Sequence, residues 1–353
     1  MLKKKTILVA PLHWGLGHAT RCIPIIKALL ENNFKVLLAS DGAALQLLQK
    51  EFPNLESIEL PSYRISYPKN GSHFKWNMFL KLPRILKAFY SEKKIIKKLV
   101  SEGKIDGIIS DNRFGIRSSE IPSVYITHQL NVLSGNTSYF STKIHQNIIN
   151  KFEVCWVPDI KDSNNLSGKL GHISNPNLKI KYIGLLSRMS KVTLPKKYDV
   201  LLLLSGPEPQ RSLLEEKLIT HFKGTKLKVL LIQGTLEREQ KTETLENITF
   251  YNFMLSKDLE FAINESEIII SRSGYTTLMD LAILEKKAFF IPTPGQFEQE
   301  YLAKRLSDLK IAPYCEQETF TIEKLKEIDS YDGFKANNKG INYTNLFRLF
   351  EGK

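Results

Sequence analysis

The sequence predicts an α/β protein with two doubly wound, Rossmann-like domains in tandem, facing a central cleft. Three observations lead to this fold class. The chain has 353 residues, which is too long for one ordinary hydrophobic core and suits two domains. Apolar runs of strand length alternate with helical periods, which is typical of parallel sheets covered on both faces. This alternation restarts after a loop-rich passage at 161–190.

The first half predicts an N-terminal domain over 1–160. Continuous apolar runs indicate strands at 6–10, 34–40, 55–60, 105–111, 123–127 and 154–158. Helical periods indicate a helix over 19–32, a short one capped by Asp41, and one that Pro83 opens and that ends near Val100. Residues 161–190 lack any helical period and are rich in Asn, Ser and Gly, so we place the interdomain linker there.

The second half predicts a C-terminal domain over 191–335. Strands are indicated at 199–205, 227–233, 248–252, 266–271 and 288–292, with helices from about 210, over 275–285 and over 297–308. The segment 336–353 contains an amphipathic helix that we expect to pack back on the N-terminal domain. Ligands of such folds lie at the carboxyl ends of the strands.

Composition and cysteine usage indicate a soluble globular protein of the cytoplasm. Hydrophobic residues make up 42% and charged residues 25% of the chain, and no run of about 18 apolar residues predicts a membrane span. Cys22, Cys155 and Cys315 are scattered without the spacing of a metal site, which fits free thiols in a reducing compartment.

The net charge of +13 is concentrated in one stretch, residues 64–104, where eleven Lys or Arg face only Glu92 and Glu102. One interpretation is that these basic residues form the solvated face of an amphipathic helix. The other is peripheral contact with an anionic membrane, on the inner face of the plasma membrane, helped by Phe74, Trp76, Met78 and Phe79. No nucleic-acid recognition module is evident, so nucleic acid is not expected as a partner.

The first chemical motif is "GLGHATR", directly after the first predicted strand. Gly15 and Gly17 lack the Cβ atoms that would keep a ligand from the backbone, and a helix N-terminus favours negative charge. His18 is the candidate general base, with a helix N-cap or a structural hydrogen bond as the alternative. Arg21 is a candidate to hold a charged group nearby.

Two further side chains are candidates at the same sheet edge. Asp111 ends the strand at 105–111, and a carboxylate there would orient His18 as in a catalytic triad. The alternative is that Asp111 caps the next turn. His128, after the strand at 123–127, is a third candidate facing the cleft.

The second half carries three polar loops at strand ends. "SRSGYTTLMD" offers hydroxyls, backbone N–H groups and a guanidinium for a diphosphate, and Asp280 for ribose hydroxyls. "LSGPEPQR" and "PTPGQFEQE" follow two other strands, and the latter supplies amide and carboxylate groups for a sugar. The candidates are Ser205, Gly206, Arg211, Arg272, Ser273, Gly274, Thr276, Thr277, Asp280, Glu298, Gln299 and Glu300.

Several motifs are absent from the sequence. There is no GxxxxGK[ST] motif, which argues against a P-loop NTPase. No Asp-x-Asp and no zinc spacing occur, so neither a metal nor a resident cofactor is expected.

Together these segments resemble the MurG-like, GT-B-fold glycosyltransferases of family 28. "GLGHATR" resembles the family's G-x-G-H loop, and the segments from Phe250 to Asp280 and from Pro292 to Ala303 resemble its donor region. The resemblance implies a histidine in the catalytic cleft at His18, and Phe253 and Met254 beside the uracil. It also implies Ser273, Gly274 and Thr277 near the diphosphate, Asp280 at the ribose, and Gln299 with Glu300 at the donor sugar.

The implied activity is inverting, metal-independent transfer of a hexose or N-acetylhexosamine from a UDP-sugar to a hydroxyl acceptor. The resemblance also implies that the domain over 1–160 binds the acceptor and that the domain over 191–335 binds the nucleotide sugar. The acceptor is unidentified, and a lipid-linked or cell-envelope glycan would suit the basic stretch. The chain departs from the peptidoglycan enzyme of the family, which has a triple-glycine loop followed by a proline where this chain has "HWGLGHATR". Two alternatives remain: a UDP-sugar epimerase of the same fold, and a non-catalytic nucleotide-sugar-binding protein.

Overall fold

The computed structural model describes residues 4–63, 74–173, 177–335 and 340–352, and for 74–82 only the backbone. The chain divides into two compact units. The first comprises residues up to Leu186 and, from the C-terminal end, residues 340–352. The second runs from Ser187 to residue 335.

The described part of the first unit contains a seven-stranded, wholly parallel sheet. Its strands are β1 Thr6–Pro11, β2 Lys35–Ser40, β3 Ser57–Glu59, β4 Gly107–Asp111, β5 Ser123–Ile126, β6 Val154–Val157 and β7 Ile180–Tyr182, in the order β3-β2-β1-β4-β5-β6-β7. Its helices are α1 Gly17–Glu31, α2 Gly42–Glu51, α3 Phe74–Ser101 and α4 Ser138–Ile149, with 3-10 turns at Gly135–Thr137 and Gly168–Leu170. The continuous apolar runs are buried because helices cover both faces of the sheet.

The second unit contains a six-stranded sheet in the order β10-β11-β9-β8-β12-β13 within the described residues. Its strands are β8 Tyr198–Leu203, β9 Val229–Ile232, β10 Thr242–Leu245, β11 Ile248–Tyr251, β12 Ser266–Ser271 and β13 Lys287–Phe290. All pairs are parallel except β10 with β11. Its helices are α5 Gln210–Phe222, α6 Ser256–Asn264, α7 Tyr275–Ile283 and α8 Phe297–Asp308, followed by a 3-10 helix at Ile322–Ser330.

The last helix, α9 (Tyr343–Glu351), is packed in the first unit. The ring of Phe347 lies 5.8 Å from that of Phe34 and 6.4 Å from that of Trp156. Phe350 contacts the same two rings. Aromatic contacts of this kind add to the burial of apolar area, so the apolar face of the C-terminal helix packs within the first unit.

The predicted doubly wound α/β class is confirmed, and three local predictions differ from the structure. The helix predicted to start at Pro83 begins at Phe74 and carries Pro83 inside. The linker predicted at 161–190 contains β7, which adds a seventh strand to the first sheet. Helices α4 and α6 and strand β10 were not predicted from the sequence, and β10 has an exposed, polar sequence without an apolar period.

Each sheet has a switch point at which consecutive strands are added on opposite sides. In the first sheet the strand order reverses between β1 and β4, and in the second between β8 and β12. The loops that follow these strands diverge there and leave a crevice at the carboxyl edge, where ligands of open α/β sheets bind. The candidate residues lie at these two positions.

Candidate active site

At the switch point of the first unit, the start of α1 lies beside the end of β4. Pro11 pairs with Asp111, the last residue of β4, and the N–H of Leu12 donates to the Asp111 carbonyl at 2.8 Å. The chain then enters α1 at Gly17, so His18 is the second residue of that helix. The end of β4 and the first turn of α1 are therefore held together by sheet pairing.

The connection between β1 and α1 leaves room around Gly15. Its φ is +75°, in the left-handed region that glycine adopts at little cost. A Cβ added at Gly15 would meet no other described atom within 4 Å. A ligand that approaches the backbone here, as predicted for Gly15 and Gly17, would meet no side chain at Gly15.

His18 and Asp111 form a hydrogen bond in which Nδ1 and Oδ1 are 2.7 Å apart. The Asp111 side chain is fully buried and that of His18 is 14% exposed. Arg21 donates from Nε and Nη2 to the two oxygens of Asp111, and its Nη1 lies 3.0 Å from Nδ1 of His128. The structure therefore brings together four predicted residues, and the Cys22 thiol also donates to Asp111, at 3.6 Å.

The charges of this cluster fix its protonation. Burial alone would raise the pKa of Asp111, but Arg21 and His18 lower it to about 2. Burial lowers the pKa of His18 below its usual value, against the opposing effect of Asp111. At neutral pH Asp111 is therefore ionised and His18 neutral, so the Nδ1–H of His18 donates to Asp111 and its lone pair lies on Nε2.

A second buried charge cluster lies at the same sheet edge, and the sequence analysis missed it. Arg113, two residues after β4, donates to Asp41 at 2.5 Å and lies 3.4 Å from Glu92 of α3. Tyr63 donates to Glu92 at 2.6 Å, and burial raises the pKa of Glu92 to about 7. Asp41 does not cap α2 with its side chain as predicted, because Arg113 and His13 engage it.

At the switch point of the second unit, α7 presents an open N-terminus. Gly274 is its N-cap residue, and a Cβ added there would meet no described atom within 4 Å. Thr276 and Thr277 lie in the first turn and are half-buried. Backbone N–H groups at such a terminus favour an anion.

The loop after β13 is joined to the α7 loop by hydrogen bonds. Ser273 donates from Oγ to the carbonyl of Gln299 at 2.8 Å, and the Gln299 side chain accepts from the N–H of Thr293 at 2.8 Å. Glu300 accepts from the N–H of Gly295 at 2.8 Å. The predicted residues Ser273, Gln299 and Glu300 therefore shape these two loops, and Glu298 is half-buried in the first turn of α8.

The two arginines predicted for the diphosphate form hydrogen bonds with other groups of the protein, and their contact with a diphosphate stays a prediction. Arg272 is buried and donates to the carbonyls of Ile291, Pro292 and Gln210 and to the side chain of Gln317, at 2.7–3.0 Å. Arg211 donates to Glu208 at 2.6 Å and to Glu215 at 2.5 Å. The Nη groups of Arg272 are therefore engaged by neutral acceptors, which leave its charge in place, whereas the carboxylates of Glu208 and Glu215 neutralise the charge of Arg211.

Asp280 is buried in α7 and held by the start of the second unit. Its Oδ1 accepts from Ser187 at 2.6 Å, and burial raises its pKa to about 6.

The other predicted donor residues follow β8 and β11. Ser205 and Gly206 are exposed, Phe253 is buried, and Met254 is half-buried.

In the part of the chain that the structure describes, no three His, Cys, Asp or Glu side chains are grouped so that they could hold a metal ion.

Comparison with known proteins relates both sequence and fold to glycosyltransferases. Residues 208–332 match the family model of the glycosyltransferase family 28 C-terminal domain. A UDP-N-acetylglucosamine--N-acetylmuramyl-(pentapeptide) pyrophosphoryl-undecaprenol N-acetylglucosamine transferase of Sulfurihydrogenibium sp. is 27% identical over 135 residues, or 38% of each chain. The protein of the same name from Haemophilus influenzae is 24% identical, over 96% of this chain and 92% of its own.

Among solved structures, MurG of Acinetobacter baumannii superposes with a TM-score of 0.57 at 17% identity, covering 99% of both chains. At this identity the likeness concerns the fold, and it extends over both units.

Proposed function

We propose that this chain, which resembles the MurG-like glycosyltransferases of family 28 in residues 208–332 and in its fold, transfers a sugar from a UDP-sugar to a hydroxyl group, with His18 as the base. The observation that carries this proposal is the hydrogen bond from His18 Nδ1 to the buried Asp111 at 2.7 Å. That bond leaves the lone pair of His18 on Nε2, where it can accept a proton.

In the proposed step, the acceptor hydroxyl gives its proton to Nε2 of His18. The acceptor oxygen forms a bond to the anomeric carbon of the donor, and the bond from that carbon to the diphosphate oxygen breaks. The electron pair of the broken bond leaves with UDP. Asp111 stays ionised and stabilises the imidazolium that forms, as the carboxylate does in a catalytic triad.

We propose the second unit as the donor site. The N-terminus of α7 at Gly274 would hold the diphosphate through backbone N–H groups. Asp280 would accept from ribose hydroxyls, in competition with Ser187, which now donates to it. Met254 and Phe253 follow β11 and would border the uracil, while Glu298, Gln299 and Glu300 would contact the sugar.

We further propose that the reaction inverts the anomeric carbon and that it does not depend on a metal ion. A single displacement, with the base on one face of the sugar and UDP leaving from the other, inverts the anomeric carbon. The helix terminus at Gly274 would meet the charge of the leaving diphosphate, so that neither a metal ion nor a cofactor is required.

The relatives' names suggest the substrates to test first. Both relatives named above are UDP-N-acetylglucosamine transferases whose names include pyrophosphoryl-undecaprenol. We therefore propose UDP-N-acetylglucosamine as donor and a lipid-linked glycan as acceptor, handled at the cytoplasmic face of the membrane.

The proposed membrane contact uses residues 64–104, of which 64–73 and the side chains of 74–82 lie outside the described residues. These include Phe74, Trp76, Met78 and Phe79. In the described part of α3, Arg84, Lys87, Lys94, Lys97 and Lys98 are exposed beside Leu86 and Tyr90. Such a face suits adsorption to anionic lipid. No described helix is long and apolar enough to span a membrane.

Substitution at Gly274 gives a sharp test of the donor site. Its φ of −71° and ψ of 136° suit any residue, so Gly274→Asp should fold and cap α7. The new carboxylate would repel a diphosphate, whereas the neutral Gly274→Asn has nearly the same shape. We expect thermal shifts with UDP and UDP-N-acetylglucosamine to be lost in Gly274→Asp and largely retained in Gly274→Asn.

The activity itself is tested by incubating UDP-N-acetylglucosamine with and without lipid-linked acceptors. UDP release that depends on an acceptor supports transfer. A new sugar isomer formed without an acceptor would instead indicate an epimerase. Nucleotide binding without any turnover would indicate a binding protein.

A further inference from the structure

Arg21 lies between one carboxylate and two histidines. Its Nε and Nη2 donate to Asp111, its Nη1 lies 3.0 Å from Nδ1 of His128, and its Nη2 lies 2.9 Å from Nδ1 of His18. We propose that Arg21 is a positioning residue that holds the two histidines in opposite neutral tautomers. His18 then carries its proton on Nδ1, and His128 carries its proton on Nε2.

The contact between Arg21 and His128 assigns the tautomer of His128. A guanidinium has five N–H donors and no acceptor, so a hydrogen bond between Nη1 and Nδ1 requires a lone pair on Nδ1. A proton on Nδ1 would place two donors face to face at 3.0 Å and, in imidazolium, two positive charges as well. The proton of the neutral ring therefore lies on Nε2.

The contact between His18 and Asp111 assigns the opposite tautomer to His18. If Nδ1 accepted a hydrogen bond from Arg21, its lone pair would face the ionised Oδ1 of Asp111 at 2.7 Å. Two lone pairs at that distance repel each other, and Nη2 of Arg21 already donates to the same oxygen. The arrangement is attractive only when Nδ1 of His18 carries the proton and donates it to Asp111.

The two assignments have a consequence for the proposed reaction, and in this respect they rest on the proposed role of His18. Burial and the charge of Arg21 disfavour the imidazolium form of His18, whereas Asp111 favours it. By engaging both oxygens of Asp111, Arg21 keeps the carboxylate ionised and limits the stability of protonated His18. His18 therefore stays neutral near pH 7, and its Nε2 is able to accept a proton.

The tautomers can be measured without any substrate. Two-bond ¹H–¹⁵N spectra of the ¹⁵N-labelled full chain at pH 6–8 distinguish protonated from bare ring nitrogens, and His18→Gln and His128→Gln assign the signals. We expect a protonated Nδ1 in His18 and a protonated Nε2 in His128. The same tautomer in both rings, or a doubly protonated His128 at pH 7, would overturn the proposal. A failed transfer assay would not affect this result.

Substitution of Arg21 tests its positioning role. Arg21→Lys keeps the charge, but one ammonium cannot occupy the positions of Nε, Nη1 and Nη2 together, so His128 should exchange between tautomers. Arg21→Gln, with folding checked by circular dichroism, should raise the pKa of His18 and move the acid limb of kcat/KM up by about one pH unit. A purely structural role would lower the rate equally at every pH. Unchanged tautomers and an unchanged acid limb in folded variants would refute the assignment.

Discussion

The Nδ1 atom of His18 lies 2.7 Å from Oδ1 of Asp111, whose side chain has no exposure to solvent. The two residues are 93 positions apart in the chain and meet because β4 pairs with β1, which leads into α1. The imidazole is therefore oriented by a carboxylate that the sheet edge itself positions. Its other nitrogen, Nε2, is the atom that is proposed to accept the proton of the acceptor hydroxyl.

Replacing His18 by alanine should abolish transfer and preserve donor binding. Loss of a positioned base typically costs about 10²–10⁴-fold in rate, while UDP is proposed to bind in the second unit. Turnover with UDP-N-acetylglucosamine and calorimetric binding of UDP measure the two effects separately. His13→Ala is the matched control, because His13 lies in the same connection and contacts Asp41 at 3.3 Å. Near-normal turnover in His18→Ala would exclude His18 as the base.

Replacing Asp111 by asparagine should reduce both activity and acid-dependent stability. The pKa of Asp111 is about 2 in the folded protein, against 3.8 ordinarily, so its ionised form stabilises the fold above about pH 4. We estimate about 2 kcal/mol, lost as the pH falls from about 4 through 2. Asp111→Asn removes this pH-dependent contribution and leaves Arg21 buried without its anion.

Urea unfolding at pH 3, 4 and 7 measures the stability effect. Asp111→Asn should be less stable than the wild type at pH 7, and the difference should shrink toward pH 3. Asp106→Asn is the control, since Asp106 accepts a single backbone hydrogen bond from Thr6. A difference that stays constant with pH would mean that the charge of Asp111 contributes nothing to folding.

The fold and the two sheet edges could be predicted because they depend on local patterns. Continuous apolar runs identify buried parallel strands, and polar residues that follow such strands mark their carboxyl ends. These two patterns place His18 and Asp111 at the same sheet edge without knowledge of the strand order. The spacing of His18 and Arg21, three residues apart on one helix, could also have indicated that they share a face.

The directions of the arginine side chains could not be predicted from the sequence. Arg272 follows a strand that leads to α7, yet its guanidinium is turned toward carbonyls at Gln210, Ile291 and Pro292. Those acceptors belong to two separate parts of the chain, and only the packed structure brings them together. The cluster of Asp41, Arg113 and Glu92 was missed for the same reason.

Replacing Arg272 should therefore affect stability more than nucleotide binding. Arg272→Met leaves several buried acceptors without a donor, and we expect a loss of about 3 kcal/mol or more in the free energy of unfolding. Arg211→Met should cost less, because its partner Glu208 is 55% exposed. Once each variant is folded, its Kd for UDP should match that of the wild type. If a variant bound UDP about tenfold more weakly at unchanged stability, the substituted arginine would be assigned to the diphosphate site.

Replacing Asp280 by asparagine should separate stability from donor binding. Burial raises the pKa of Asp280 to about 6 from the ordinary 3.8, so the folded state favours the protonated form. The resulting stability is fully present below about pH 4 and is lost as the pH rises through 6. An asparagine stays neutral, so Asp280→Asn should be more stable than the wild type by about 1–3 kcal/mol at pH 8 and equal to it near pH 4.

The same substitution should weaken UDP binding by about tenfold, because an amide is a poorer acceptor for ribose hydroxyls than a carboxylate. Thermal unfolding at pH 4 and pH 8, with and without UDP, measures both effects on one sample. Asp258→Asn is the control, since Asp258 is an exposed acid in the first turn of α6. Unaltered UDP binding in a stabilised Asp280→Asn would remove Asp280 from the ribose site. In that case the role of the Asp280 carboxylate would be its contact with Ser187, the first residue of the second unit.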